Sequence, residues 1–586
     1  MNLWREWRGV PTKSKNSPLA LRICLWQPVQ PIQTKQTNQK TKPNPKNKPL
    51  RRSCARQTTH NYKQTIKTEP KTNSSMHQKR TNSSQKDPIY KTTISKKPKS
   101  DAPNHIRKQY IPSPHKKPKS RRTHQMKITL VNPPYPPKAH SHPPFIPLGI
   151  AYLGAVAEKA GHEVTVIDCQ AEKLTYNAFR SRIAQVPSDI IGITATTLLY
   201  NSAKELLTIA KQTHPNATTL IGGSHVSFWD ENALNECPSL DVVVRREGET
   251  TFLEILQRLK ENKNLTGVLG LTFRAKDGTI IKNEDRPYIQ DLDALPFPAY
   301  HLLPLDAFHR MGKTIFPLTT SRGCIQWCDF CSTVRMFGRA YRMRSPKNVV
   351  DEIELLHNKY GESQFTFYDD AFTVNRNHVL KICEDLKTRK LKISWDCETR
   401  VDMVDKELLA AMRDAGCMTV WFGVESGSQK ILGQMNKKIK LNETRLAFKT
   451  AQNLGLMTIA SAVIGFPGET EETAWETINF IKELNPDDIG FYVATPYPGT
   501  PMYDLVKKNG WLRITDFNKY DTATPTFETP WLSMDRIREI RYKAHQKFYL
   551  RPAYVLKMMR RGGTYGKSGL KTSAAYALRA MHIKLS

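Results

Sequence analysis

TTSRGCIQWCDFCST, residues 319–333, sets Cys324, Cys328 and Cys331 in a C-x3-C-x2-C array. A closed structural zinc site takes four ligands, usually as two pairs separated by a dozen or more residues, and no second pair follows. A disulfide framework fits poorly, because ten cysteines in 586 residues are sparse and no secretory pattern is read, so a reducing compartment is expected. What remains is a cluster short of one ligand. An iron–sulfur cube is normally held by four thiolates; held by three, it keeps one iron open, and an open position is what catalysis at a metal requires. Ordinary buried cysteines are the alternative, but Gly323, the aromatic Phe330 before the last cysteine and an apolar strand read at 314–318 favour a functional loop.

The loop resembles the signature of the radical S-adenosylmethionine (SAM) superfamily, C-x3-C-x-aromatic-C, which follows the first strand of a partial (β/α)6 barrel. The resemblance implies a [4Fe-4S] cluster on Cys324, Cys328 and Cys331, the catalytic and metal-binding residues, with the unique iron chelated by the amino and carboxylate groups of SAM. Reductive cleavage then yields a 5′-deoxyadenosyl radical, and the missing ligand is the cosubstrate. A reductant such as ferredoxin or flavodoxin is the implied partner.

The net charge of +35 suggests a nucleic-acid binder until it is mapped. Residues 1–125 hold 30 Lys+Arg against 4 Asp+Glu, and the rest 59 against 50. The first segment is also rich in Thr, Asn, Gln, Ser and Pro, and cannot bury enough apolar surface to offset its chain entropy. It is expected to be disordered or an artefact of translation, with Met126, which opens MKITLVNPP, as the true start. A basic arm for nucleic acid or anionic lipid is the functional alternative. No run of 18 apolar residues occurs, so no membrane-spanning helix is expected.

From Met126 strands and helices alternate, the mark of a parallel α/β sheet. Strands read at 127–132, 163–168, 190–194, 218–222 and 242–245, with helices such as 147–160 and 202–213, make a doubly wound domain over 126–265. Ligands of such sheets sit at the strands' carboxyl ends, here Asn132-Pro133-Pro134, Thr194-Ala195-Thr196, Gly222-Gly223-Ser224-His225 and Glu247-Gly248-Glu249. Glycines there let a phosphate or a flat ring approach closely, although a Gly-Gly pair alone is equally a tight turn. The order of these pieces ahead of a radical SAM barrel resembles the B12-binding radical SAM family, which includes the anaerobic magnesium-protoporphyrin monomethyl ester cyclase and the hopanoid methylases. This resemblance implies cobalamin on Asn132, Thr196, Gly222, Gly223, Glu247 and Gly248. One departure matters. The D-x-H-x-x-G motif that supplies an axial histidine in other B12 proteins would begin at Asp168, but Gln170 holds the histidine place and Lys173 the glycine place. A bound corrin would lack a histidine from that loop, as in several branches of the family; His225 is read as a loop hydrogen bond.

Residues 266–313 read as a connector with a hairpin around Lys276-Asp277-Gly278, and 314–510 as the barrel. Its strand ends carry Asp369-Asp370, Glu398-Thr399-Arg400, Glu425-Ser426-Gly427-Ser428, Gly465-Phe466-Pro467-Gly468-Glu469 and Thr495 to Thr500 with Tyr497, where barrel enzymes place their chemistry. The resemblance assigns Asp369 and Asp370 to the SAM amino group, Glu398 and Arg400 to its ribose and carboxylate, and Glu425, Ser426, Gly465 and Gly468 to the nucleoside. Tyr497 is a candidate wall of the substrate cavity. Solvated loop acids and surface salt bridges are the alternatives. Cys397 is a candidate hydrogen donor or thiyl, whereas Cys169, Cys237, Cys383 and Cys417 read as core. Past 510 the pattern is helical, 533–549 and 552–561, with a basic face that is either solvated or docked on lipid.

The function read from this order is a radical SAM enzyme that functionalises an unactivated carbon of a small hydrophobic or amphipathic substrate, with cobalamin, by methyl transfer or cyclisation. It is expected in the cytoplasm, with peripheral membrane contact. The alternatives are a corrinoid or electron carrier without SAM chemistry, and a tRNA methylthiotransferase, whose three further N-terminal cysteines and terminal β-barrel are not read here.

Overall fold

A computed structural model of the chain describes residues 125–137, 145–311 and 315–585. The basic segment lies outside these apart from its last residue, as does residue 314 at the head of the first barrel strand. Strands β1 (Lys127–Asn132), β2 (Glu163–Asp168), β3 (Ile190–Thr194), β4 (Thr218–Gly222) and β5 (Val242–Val244) form where apolar runs are read. They are parallel in the order β2-β1-β3-β4-β5, so the topological switch lies between β1 and β3. Successive side chains alternate in face: Ile128 and Leu130 pack with Ile150 and Phe252 of helices Leu148–Lys159 and Glu249–Lys260, while Val131, Ile167 and Ile191 pack with Phe179 and Ala203 of helices Tyr176–Ile183 and Tyr200–Thr213. Burial on both faces explains why these strands read as continuous apolar runs.

The expected connector hairpin, β6 (Leu271–Arg274) and β7 (Ile280–Lys282), instead extends this sheet, with β6 antiparallel to β5. Otherwise β5 would leave a row of unpaired backbone groups. Arg245 fixes the join, donating to Thr272 Oγ1, the Asn283 carbonyl and Asp285.

The second sheet starts at β8 (Phe316–Leu318). A short antiparallel pair, β9 (Ser321–Arg322) and β10 (Arg342–Met343), follows. The sheet continues with β11 (Gln364–Phe367), β12 (Ser394–Thr399), β13 (Cys417–Glu425), β14 (Met457–Ile464) and β15 (Asp488–Val493), all parallel, with β8 and β15 as edges. Helices such as Pro346–Tyr360 and Arg376–Thr388 alternate with the strands, which gives a half-open barrel. β12, read as ending at 397, runs on to Thr399, so Glu398 lies in the strand rather than beyond it. The barrel is flanked by helices Met534–Tyr549 and Pro552–Arg561, together with Gly563–Leu585, a helix not read from the sequence. The first covers the β15 edge: Arg541 Nε donates to the Phe491 carbonyl at 2.7 Å and Tyr549 bonds Asp488 at 2.5 Å.

Candidate active site

The cysteine loop is a closed insert between β9 and β10. Gly323 opens it with φ +95°, and a Cβ there would strike the carbonyl oxygen of Ala340, so only glycine fits. Phe330 packs on the cluster of Met435, Phe466 and Met502, and Asp329 exchanges backbone hydrogen bonds with Met435 and Met502, which ties the loop to neighbouring barrel segments. Cys324, Cys328 and Cys331 are half-buried free thiols, whereas Cys169, Cys237, Cys383, Cys397 and Cys417 are buried. Burial holds all three loop thiols above their ordinary range, Cys328 at about 11; the field of Cys331 adds to the rise at Cys328, and that of Cys324 to the rise at Cys331. Among the described residues no three His, Cys, Asp or Glu side chains converge on a single ion. Thiolates on the corners of a four-iron cube stand farther apart, and three clustered, accessible thiols suit a cube with one open iron.

Charged groups from several strand ends surround the loop. Asp370 accepts from Thr333 Oγ1 at 2.8 Å, and burial raises it to about 6. Asp369 faces the other way: its carboxylate takes the Thr320 N–H and hydroxyl and the Ser321 hydroxyl, which makes it a buried brace rather than a ligand. Glu425, with φ +60° at a register shift in β13, pairs with Lys437 at 2.7 Å. A Cβ on Gly423 would strike both partners, so the pair lies over that glycine. Arg400 is 4% exposed; it holds Asp402 and the Lys437 carbonyl, and its Nη1 has no partner. The fields of Arg400 and Lys437 reach Cys324 and Cys328, and that of Asp370 reaches Cys324 and Cys331. An orphaned buried guanidinium N–H beside a lysine, across from a carboxylate, fits a ligand carrying both signs, as an amino acid does.

Other expected contacts are placed differently. Ser426 Oγ bonds Thr477 and the Ser428 N–H and so holds a turn. Gly465 and Gly468 form the turn closed by the Gly465 N–H on Glu469, a fully buried acid that burial raises to about 8. Glu398 is exposed on β12. Cys397 points into the core with Phe367 and Trp395, which removes it as a hydrogen donor to the cavity.

Two cavities of about 360 and about 480 Å³ share the rim Gly149, Ile150, Thr194 and Ser224. The first runs between the β-sheet face and helix Leu148–Lys159, is lined by Gly222, Gly223, Glu247 and Gly248, and meets Arg322, Tyr368 and Asp370 of the barrel. The second holds Asn132, Gln170, Thr196, Ser332 and Tyr497. Gly223, at φ +113°, would place a Cβ 2.5 Å from the Ala195 oxygen, whereas Gly222 leaves 3.6 Å to its nearest neighbour. Glycine-lined, largely apolar space at a topological switch suits a flat macrocycle or its tail. No histidine among the described residues lines either cavity. Gln170 donates to the Asn132 side chain and the Pro133 carbonyl. His225 Nδ1 lies 3.2 Å from Thr197 Oγ1, as read, and its ring packs against Tyr200 and Phe517, where burial lowers it to about 3.

Glu247 is not free for a ligand: Arg322, Arg342 and the Ile289 N–H all donate to it, and Arg322 also holds Glu249. These two arginines bracket the cysteine loop, so the base of the loop is pinned to the first sheet. Sequence reading missed Arg322, Arg342 and Lys437. The only local signal was the lysine pair in MNKK; the partner of Arg322 and Arg342 lies 75 and 95 residues away along the chain.

Residues 138–256 match the B12 binding domain family and residues 318–481 the Radical SAM superfamily. An uncharacterised methyltransferase of Pyrococcus horikoshii is 38% identical over 70% of this chain and 89% of its own length. The anaerobic magnesium-protoporphyrin IX monomethyl ester cyclase of Rubrivivax gelatinosus is 30% identical over 70% of this chain and 74% of its own. The fold matches that of the radical SAM methyltransferase TsrM of Kitasatospora setae, solved with cobalamin and a [4Fe-4S] cluster, with a TM-score of 0.62 at 17% identity, over 78% of this chain and all of that one. With a three-cysteine loop whose base at Arg322 lines the same cavity as a glycine-rich sheet end, the chain belongs to the B12-binding radical SAM enzymes.

Proposed function

We propose that this enzyme cleaves SAM at a cluster held by Cys324, Cys328 and Cys331 and functionalises an unactivated carbon of a hydrophobic or amphipathic substrate, by methyl transfer from cobalamin or by cyclisation. One observation carries the reading: Asp370 and the arginine at the base of the cysteine loop line the same cavity as Gly222, Gly223 and Gly248. The cluster and SAM supply a carbon-centred radical, and cobalamin supplies a transferable methyl group. The chain's own side chains bind and orient. Asp370 takes the ammonium of SAM, and Arg400 and Lys437 take its carboxylate. Glu398 and the turn at Gly465 and Gly468 flank the nucleoside, Tyr497 walls the substrate space, and Asn132 and Thr196 border the corrin. Water is kept from the reacting atoms by apolar walls such as Leu130, Ile150 and Met336.

The substrate class and surface are finer parts of the same proposal. No helix among the described residues is long and apolar enough to cross a membrane. Leu550, Leu556 and Met559 are exposed near the second C-terminal helix, which supports contact with a lipid surface from the cytoplasm. The contact is narrower than the sequence implies, because Phe548, Tyr554 and Met558 are buried and Lys557 and Arg561 pair with Asp487.

The test is anaerobic reconstitution with SAM, a strong reductant and cobalamin, followed by assay of 5′-deoxyadenosine, together with lipid and tetrapyrrole profiles of a host lacking the protein. Deoxyadenosine and one altered hydrophobic pool are expected. Loss of a methyl group from a water-soluble metabolite, with both pools unchanged, would overturn the substrate class.

A further inference from the structure

Ile325 and Trp327 of the cysteine loop line neither of the two cavities described above. Ile325 and Trp327 are 43% and 41% exposed, two large apolar side chains two residues apart on one loop. Two guanidinium groups lie over the indole of Trp327, Arg335 at 5.8 Å and Arg339 at 5.7 Å from the ring centre, which holds the indole flat and ringed by positive charge. Asn436 donates to the Trp327 carbonyl at 2.7 Å, which brings the segment 429–440 alongside. That segment carries exposed Lys430, Lys438 and Lys440 and no acid. The counter-charges nearby are Asp329, partly buried and under the field of Arg335, and Glu443, 4.0 Å from Lys440. An exposed aromatic anchor within a cationic rim has the composition of a protein interface core, and its sign selects an acidic partner.

We infer that this face, centred on Trp327 with Arg335, Arg339 and Lys438, docks a small acidic one-electron carrier protein, such as a flavodoxin, directly over the backbone of Cys324 to Cys331. The inference rests on the radical SAM reading, in which cleavage of SAM requires an electron at this loop. The transfer balances simply: the carrier loses one electron, the enzyme gains one at the group held by the three cysteines, and no bond or proton changes at the surface. The site serves this purpose because it lies on the loop itself, and none of Ile325, Trp327, Arg335 and Arg339 lines either of the two cavities described above.

The test uses the full chain and two readouts. Binding of oxidised flavodoxin to the protein as isolated is measured by calorimetry at low and high salt, which requires no turnover. The rate of 5′-deoxyadenosine formation by the reconstituted enzyme is then compared with reduced flavodoxin and with dithionite. R335E/R339E is expected to weaken binding and the flavodoxin-driven rate by about tenfold or more while leaving the dithionite-driven rate within about twofold. R335Q/R339Q should show a smaller loss, and K438E, on a different segment, guards against a local folding defect in the stretch 333–339 that carries the arginines. High salt should weaken wild-type binding. Unchanged flavodoxin affinity in both charge-reversed variants would overturn the proposal, as would loss of tRNA binding in them with flavodoxin binding intact. Absence of deoxyadenosine from the wild type with either reductant would instead overturn the radical SAM reading, and the binding arm would still decide the docking.

Discussion

Asp369 and Asp370 show how far apart two adjacent residues of one type can stand in role. Asp369 is surrounded by donors from Thr320 and Ser321 and fixes the exit of β8; Asp370 has one hydroxyl donor and opens on the cavity. Asp370 is raised to about 6 by burial, with the field of Asp369 adding to it, so it carries charge only above that pH. Binding of a cationic group through it should therefore strengthen as pH rises through about 6 and then level off. D370N should bind SAM about tenfold or more weakly, as expected for loss of a charge-assisted hydrogen bond, with no dependence on pH in that window; calorimetry with SAM across pH checks this. Because the folded value lies above the unfolded one near 4, this carboxyl also opposes folding increasingly as pH rises from 4 to 6, and D370N should flatten that slope. The cysteines make a sharper prediction. Changing any one of Cys324, Cys328 or Cys331 to Ala should reduce iron from about four per chain to a small fraction and abolish deoxyadenosine, read by iron assay and chromatography. Full turnover in any of them would remove the central assignment.

Among elements, the carboxyl ends of β3 and β4 give the cleanest separation of structure from binding. At Gly223 a methyl group meets backbone at 2.5 Å and the φ of +113° is closed to other residues, whereas at Gly222 the nearest atom is 3.6 Å away. G223A should destabilise the domain, by roughly 1–3 kcal/mol for the backbone conformation alone, with loss of soluble folded protein or a lowered denaturant midpoint. G222A should keep the wild-type midpoint and lose cobalamin affinity, because its methyl group enters the cavity. Equal behaviour of the two in denaturation would argue against this reading. Elements of this kind are legible in a sequence: apolar runs ending in Gly-Gly or Asn-Pro mark the strands, and β1 to β4 form where they are read. Less legible are features that depend on a distant partner. The hairpin at 271–282 reads as a linker because nothing local says that β5 has an open edge. The helix Gly563–Leu585 carries four glycines and serines in its first seven residues, Gly563, Gly566, Ser568 and Gly569, and no strong apolar stripe, so its propensity is poor and packing on the preceding helices decides it. Lys437 meets Glu425 only because β13 shifts register there, which no spacing rule predicts.

At the scale of the molecule, the two sheets are joined where their chemistry meets. Arg342 reaches Glu247 across 95 residues and Arg322 reaches it across 75, with both side chains of the Arg342–Glu247 pair 4% exposed. Removing one partner of a buried pair generally costs about 3–5 kcal/mol, so the cysteine loop and the first sheet form a single rigid frame. Such a frame determines what can approach a corrin bound at the first sheet, and among the described residues it brings no imidazole to either cavity. Gln170 is tied to Asn132 and Pro133, and His225 is enclosed by Tyr200, Trp229 and Phe517. The last prediction is therefore spectroscopic. Cobalamin bound in the Co(II) state should give an electron paramagnetic resonance spectrum without nitrogen hyperfine splitting from a protein imidazole. The same spectrum is expected from H140A/H142A, whose positions lie outside the described residues, and from H225A, whose buried ring lines neither cavity. Nitrogen splitting in the wild type that one of these substitutions removes would identify a histidine ligand and overturn this reading. Gln170→His, which restores the ligand type at the motif position, is expected to introduce that splitting if the corrin lies over β2, because Gln170 already borders the second cavity; failure to do so with cobalamin still bound would place the corrin farther toward β4.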